Sequence, residues 1–218
     1  MPTHESAAAL ERLFAALPTN VRTLARLGCI RSFRKNTVII HEGDVSDSTY
    51  VLLQGRVRAF SNDGSGREIT FGVVEAGDYF AESWLDGGPR SSSFVTLESC
   101  VCSIVARAEL QDHLAQQPGF ALDLIARLAR RERLATQMAK SLALTDVYGR
   151  LVGALEAQCG AAIKKPVTLM RITHQSLASS VGASREMVSR LLKELEKGGY
   201  VSLGVRQITV NRKLPSKF

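Results

Sequence analysis

The sequence has no long apolar run, few aromatic residues and little cysteine, and each shortage removes a class of protein. No stretch of the 218 residues approaches the ~20 consecutive apolar positions needed to cross a bilayer. The N-terminus, MPTHESAAALERLF, carries acids where a secretory signal would carry a basic segment before an apolar one. A cytoplasmic chain with no membrane partner is therefore expected. The four cysteines, Cys29, Cys100, Cys102 and Cys159, are too sparse and uneven for the disulfide framework of a small secreted domain, so free thiols are expected. Cys100 and Cys102 alternate within SCVCSIV and share one face of a strand, but a metal there would need two further ligands nearby, and none is expected. No histidine lies in a recognisable nucleophile, base or metal arrangement, which argues against an enzyme.

What is present is enough apolar residue, 45% of the chain, for a real core and two small domains. Charge is unevenly distributed. From Leu144 to the end there are 12 Lys/Arg against 5 Asp/Glu, whereas the preceding residues balance, so the whole excess of +7 lies in the last third. Such an asymmetry is the electrostatic footprint of a segment that binds a polyanion.

Along the chain the hydrophobic period changes twice. Residues 5 to about 28 carry Leu10, Leu13, Phe14 and Leu17 at helical spacing, interrupted by Pro18, which predicts one or two short helices. From Ser32 to Ala106 short β-like runs (TVIIH, TYVLLQ, RVRAF, EITFGVV, SFVTL, CVCSIV) are separated by EGD, NDGSG, EAGD and LDGGPR. Turn signals every 8 to 12 residues predict a compact antiparallel β-roll. A helix then runs from Pro118 to about Leu142. In it Leu124, Leu128, Arg131, Ala135, Met138 and Leu142 form a 4,3,4,3,4 seam that predicts pairing with a second copy of the helix; the alternative is packing on the roll of the same chain. Thr145-Asp146 offers a cap for the next helix. The expected organisation is 1–117 for the N-terminal helices and roll, 118–143 for the dimerisation helix, 144–146 for a hinge and 147–218 for a second domain.

The densest information lies in THQSLASSVGASREMVSRLLKELEKGGYV, residues 173 to 201. Thr173 can cap a helix through HQSLASSV, Gly182 permits a tight turn, and Ser184 can cap a second helix ended by Gly198-Gly199. Two helices joined by about three residues form a helix-turn-helix. In the second, Val188, Leu191, Leu192 and Leu195 point inward, and Arg185, Glu186, Ser189, Arg190 and Lys193 occupy the other side and its flanks. Arginine can bond guanine O6 and N7 together and glutamate can accept from cytosine N4. The candidate DNA contacts are Arg185, Glu186, Arg190, Ser184, Ser189 and Lys193, with Thr173 and Gln175 at the start of the first helix. The expected fold is α+β, an antiparallel roll and long helix followed by a winged helix-turn-helix with strands YVSLG and QITVN.

This order of elements resembles the CRP/FNR family of bacterial transcription regulators over nearly the whole chain. The likeness rests on VGASREMVSRLLKELE, TDVYGRL, HEGDVSDSTYVLLQGRVR and GDYFAESWLDGGPRSSS, the last similar to the family's phosphate-binding cassette. The resemblance implies a homodimer that binds double-stranded DNA and RNA polymerase. In the cyclic-AMP receptor branch the recognition helix reads a TGTGA-like half-site through residues that map onto Arg185, Glu186 and Arg190, with Met187 where that branch has threonine. In the branch that binds cyclic nucleotides, the cassette residues matching Glu82, Arg90 and Ser91 meet the ribose and cyclic phosphate, and Arg131 matches an arginine that lines the pocket.

The sequence departs from that pattern at three places. Ala81 replaces the glycine before the glutamate, ESWLDGGPR is one residue shorter than the commoner pattern, and Ala135 stands where the branch donates a threonine hydroxyl to adenine, with Thr136 beside it. The candidate effector site is therefore Ala81, Glu82, Arg90, Ser91, Arg131 and Thr136. No tightly bound cofactor is expected; the effector is a cyclic nucleotide, cyclic AMP before cyclic GMP or cyclic di-GMP, with another small anion, or no effector at all, as alternatives. The oxygen-sensing branch needs clustered N-terminal cysteines and only Cys29 lies there. His41 and His113 have no haem-ligand context, and His4 and His174 read as surface residues. A cyclic-nucleotide-binding scaffold without DNA binding would account for the roll but not for the basic C-terminal third.

Overall fold

The computed structural model describes residues 4–64, 67–160 and 165–215, residues 4–6 by backbone alone. The β-like runs form strands β1 (Cys29–Phe33), β2 (Val38–Ile40), β3 (Ser48–Gln54), β4 (Arg56–Asn62), β5 (Glu68–Glu75), β6 (Tyr79–Phe80), β7 (Ser93–Thr96) and β8 (Cys100–Ala106). They lie in two four-stranded sheets, ordered β1-β8-β3-β6 and β2-β7-β4-β5, with antiparallel pairings. Alternation places the cores. Val51, Leu53 and Val105 face a cluster with Phe14 of helix α1 (His4–Ala15), Leu17 of the link that follows, and Val21 and Leu24 of α2 (Thr19–Ala25), while Leu52, Val57, Phe80, Phe94, Cys100 and Cys102 fill the space on the other side. Each large side chain so enclosed contributes about 1.5–3 kcal/mol. Burial also pushes the Cys102 thiol up to about 12, so it behaves as a small apolar group.

Helix α3 (Arg107–Gln116) leads into α4 (Pro118–Leu144), 27 residues long. Phe120 and Leu124 join the core of the roll, and one and two turns later Arg127 and Arg131 continue the same face. Arg127 pairs with Asp78 and Asp123 and lays its guanidinium 4.6 Å from the Tyr79 ring centroid. The start of the expected seam meets the chain's own roll. Leu124 is enclosed there, and Arg131, half exposed, bonds to it. Apolar residues open to solvent begin instead with Leu122, Ile125 and Leu128, about a third of a turn around the helix. The spacing alone could not distinguish the two faces because both carry apolar residues at i, i+3 and i+4.

The chain divides into two compact units, Met1–Ser61 with Phe71–Arg131, and Asn62–Thr70 with Glu132–Phe218. In the second, α5 (Val147–Cys159) starts where the Asp146 carboxylate accepts from Gly149 N at 2.7 Å. Strands β9 (Val167–Met170), β10 (Val201–Gly204) and β11 (Gln207–Val210) form a sheet ordered β10-β11-β9 beside α6 (His174–Val181) and α7 (Arg185–Lys197). Its core joins Leu151 and Leu155 of α5, Leu177 and Val181 of α6, Val188, Leu192 and Leu195 of α7, and Val201, Ile208 and Val210 of the strands.

Tyr79 supplies a stability test of the roll. Its side chain is buried against Phe120, burial keeps its phenol protonated, and Oη has no hydrogen-bond partner among the described residues. Tyr79→Phe is expected to leave stability within about 1 kcal/mol of wild type or raise it, whereas Tyr79→Ala should cost about 3–5 kcal/mol, measured by urea unfolding.

Candidate DNA interface and effector site

The helix-turn-helix is built from local caps. Thr173 and Ser176 satisfy each other's backbone N–H at the start of α6, and Gly182 ends it with φ +61, a conformation in which a side chain would be strained. Ser184 Oγ accepts from Met187 N at 3.2 Å and opens α7. With Val188, Leu192 and Leu195 fully enclosed, Arg185, Glu186, Arg190 and Lys193 are left exposed, while Ser189 and Leu191 lie half-buried on the flanks. Gln175 is exposed on the first turn of α6.

His174 is not the free surface residue the sequence implied. It is half-buried, and its Nδ1 lies 2.8 Å from Ser189 Oγ on α7. Burial, then Arg185 and Lys193, push its pKa below the usual imidazole range, so the ring is neutral at pH 7. The side chain of His4 lies outside the described residues. A groove of about 330 Å³ is lined by Thr173, His174, Gln175, Arg185 and, from the β10–β11 turn, Arg206. Sequence reasoning missed Arg206, whose place beside Arg185 comes from strand pairing across the sheet rather than from any local motif.

In the N-terminal unit, β6 ends at Phe80, Ala81 adopts φ +67, and a short 3-10 turn, Ser83–Asp86, follows. Ala81 thus keeps the left-handed backbone for which glycine is the unstrained residue, at a cost of about 1–2 kcal/mol. The turn carries Glu82 inward to 4% exposure, where Arg131 Nη1 donates to its carboxylate and Arg131 Nη2 donates to Tyr79 O at 2.9 Å. Burial outweighs the attraction of Arg131 and Arg127, so the Glu82 pKa lies above the usual carboxylate range.

Arg90 is enclosed to 2% exposure. Its Nη1 donates to Ala81 O and its Nη2 to Ser48 O at 2.6 Å and Ser46 Oγ at 2.9 Å, while Nε is buried without a partner. Among the described residues no carboxylate forms an ion pair with it, and burial lowers its pKa. A guanidinium in this position retains its charge, and Glu82, Asp44 and Asp47 act on it from a distance rather than in contact. Ala81, Glu82, Arg90 and Arg131 are thus brought together. Ser91 is exposed, and Thr136 bonds Glu132 on its own helix at 3.0 Å. Ser46 and Ser48, more than forty residues before Arg90, went unrecognised because only the fold brings them to it.

Residues 30–117 match the cyclic nucleotide-binding domain family and residues 149–213 the Crp-like helix-turn-helix domain family. The catabolite activator protein of Thermus thermophilus is 30% identical, with 92% of this chain and 94% of that one covered and a TM-score of 0.53. The chain belongs to the CRP/FNR family. Another relative in this family, the cAMP-activated global transcriptional regulator CRP of Pasteurella multocida, is 29% identical over 186 residues, covering 83% of this chain and 89% of that protein. The c-di-GMP responsive global regulator CLP of Xanthomonas campestris shares the fold at a TM-score of 0.77 and 23% identity, covering 88% and 98% of the two chains. The CRP/FNR proteins are transcription regulators rather than enzymes, and this member pairs a cyclic nucleotide-binding domain with a DNA-binding one.

Two outcomes follow for this family member's cassette. Arg131→Met leaves a buried carboxylate without its cation and should cost about 1–3 kcal/mol, at the low end for a broken buried pair because Arg131 is half exposed. The loss is expected to grow from pH 5 to pH 8. A carboxyl whose folded pKa is raised stabilises the fold while protonated, and that stability is lost as pH rises through the folded value. Ala81→Gly should raise stability by up to about 1 kcal/mol by relieving the left-handed alanine, read as thermal unfolding at pH 7.

Proposed function

We propose that the protein is a homodimeric, sequence-specific transcription regulator that reads a TGTGA-type palindrome and is switched by a small anionic effector at the Glu82–Arg90 cassette. The reading is carried by α7, where Arg185, Glu186 and Arg190 stand exposed at the N-terminal end of a helix whose opposite face is fully enclosed. Ser184, Ser189, Lys193, Thr173 and Gln175 flank them and meet phosphate or neighbouring bases, with Arg206 added from the wing. Exposed Leu122, Ile125 and Leu128 on α4 supply the apolar stripe for a second copy, and a two-fold dimer sets its recognition helices about one DNA turn apart. RNA polymerase is the expected further partner.

The effector reading rests on Arg90, a buried cation with no carboxylate in ion-pair contact among the described residues and with an unpartnered Nε. A cyclic nucleotide offers the missing anion, together with a ribose hydroxyl that Glu82 can accept from, and cyclic AMP is the first choice. Ser91 lies next to Arg90 on the chain, Ala81 and Arg131 line the cassette, and Thr136 serves the base from one subunit or the other. Such an effector shifts the dimer toward its DNA-competent state only by binding that state more tightly. A second reading, regulation without effector, is favoured by a specific observation: Ser46, Ser48 and the Ala81 carbonyl already accept from both terminal nitrogens of Arg90.

Two measurements separate these. Arg185→Ala should weaken binding to the palindrome by about 10- to 100-fold and leave scrambled DNA nearly unaffected, read by fluorescence anisotropy at fixed salt. Trp84, the sole tryptophan, bonds Thr49 Oγ1 beside the cassette, so its emission reports occupancy directly. Titration with cyclic AMP and cyclic di-GMP should change it and tighten DNA binding; unchanged emission and DNA affinity at saturating nucleotide would overturn both nucleotides as effectors.

A further inference from the structure

Glu186 and Arg190 stand one turn apart on the exposed face of α7, an i,i+4 arrangement in which opposite charges attract. If they closed on each other, the carboxylate and the guanidinium would each occupy the partner's hydrogen-bonding groups, and neither would be free for a base. In the structure they stay apart. Arg190 Nη2 donates to Met187 Sδ at 2.9 Å, and among the described residues Glu186 enters no ion pair.

Met187 is placed for this by the helix cap. Its backbone N donates to Ser184 Oγ, and the residue is half-buried, at the border between the enclosed side of α7 that carries Val188 and the exposed side that carries Arg190. A thioether suits the position. It is unbranched and long enough to reach the guanidinium of residue i+3, and it is a weak, neutral acceptor. It therefore orients Arg190 without cancelling its charge, and the remaining N–H donors stay available for guanine. A threonine here would carry a short branched side chain whose hydroxyl turns back to its own helix backbone.

We propose that Met187 is a positioning residue for base reading, its thioether holding Arg190 apart from Glu186 so that both side chains reach the DNA separately. The proposal rests on α7 reading DNA as set out above. Met187→Leu keeps the volume and removes the acceptor. In the intact protein it should lower affinity for the palindrome by about 1.4- to 2.3-fold, the size an i,i+4 pair produces, because cognate binding must then break the Glu186–Arg190 attraction. Sequences altered at the base pair read by Arg190 should lose less, so discrimination falls at that pair, while discrimination at the pair read by Arg185 and the Tm stay as in wild type.

The test is competition binding with every single-base variant of the half-site, for wild type, M187L, E186Q and the double variant. In the E186Q background the Glu186 carboxylate no longer competes, leaving only Glu194 one turn beyond Arg190, so Met187→Leu should have a smaller effect than in wild type; E186Q alone should leave the guanine preference of Arg190 unaltered. Discrimination in M187L equal to wild type, or a loss of the same size with and without Glu186, would overturn the proposal. A wild-type protein that binds DNA without base preference would instead overturn the DNA-reading assignment itself, and the positioning role with it.

Discussion

The Glu82 carboxylate sits almost without solvent behind β6, and burying an isolated carboxylate costs several kcal/mol. The α4 helix meets that cost by bringing Arg131 to it. This single requirement sets the rotation of α4 about its axis. With Arg131 turned to the roll, Phe120, Leu124 and Arg127 must follow on the same face, and the Asp78–Arg127–Asp123 cluster and the Tyr79 ring are anchored along with them. What remains outside, beginning at Leu122 and Ile125, is then fixed by helical geometry. A ligand that engages Glu82 must also share it with the helix, so occupancy of the cassette and the seating of α4 are physically one equilibrium.

Arg90 presents the complementary case. The cassette encloses a cation with neutral oxygens from Ser46, Ser48 and Ala81 rather than with a carboxylate, and leaves one N–H unsatisfied. Together with the left-handed alanine at position 81, this makes the cassette a place where the fold tolerates backbone strain and a buried cation without a contacting carboxylate within a few residues. Such features persist only where the surroundings over-determine them. Here the surroundings are the two loops themselves, tied to each other by backbone bonds from Gly43 N to Arg90 O and from Arg90 N to Asp44 O, between strands that anchor their ends.

The DNA-binding unit is held by different means. Its helices are short and its caps are local, but its core is one apolar cluster shared by α5, α6, α7 and the small sheet. That cluster frees the outer face of α7 from any packing duty, so charge and hydrogen-bonding groups can accumulate there without destabilising the fold. Its half-buried flank residues make short side-chain contacts, Met187 with the exposed Arg190 and Ser189 with the half-buried His174.

Much of this was legible in the chain before folding. Alternation and turn residues announce the antiparallel roll, Thr173, Gly182 and Ser184 announce the helix-turn-helix, and the charge excess after Leu144 announces the polyanion partner, because caps, turns and periodicity act over a few residues and are written locally. The partners of those residues were not legible. That Arg131 pairs with Glu82, that His174 bonds Ser189, that Arg90 is cradled by Ser46 and Ser48, and that Arg206 lies beside Arg185 all depend on segments distant in sequence or on which face of a helix the core selects. A helix shows its apolar positions in its sequence, but only tertiary packing decides which of two similar stripes is buried, since that choice is made by the neighbouring charges it must satisfy.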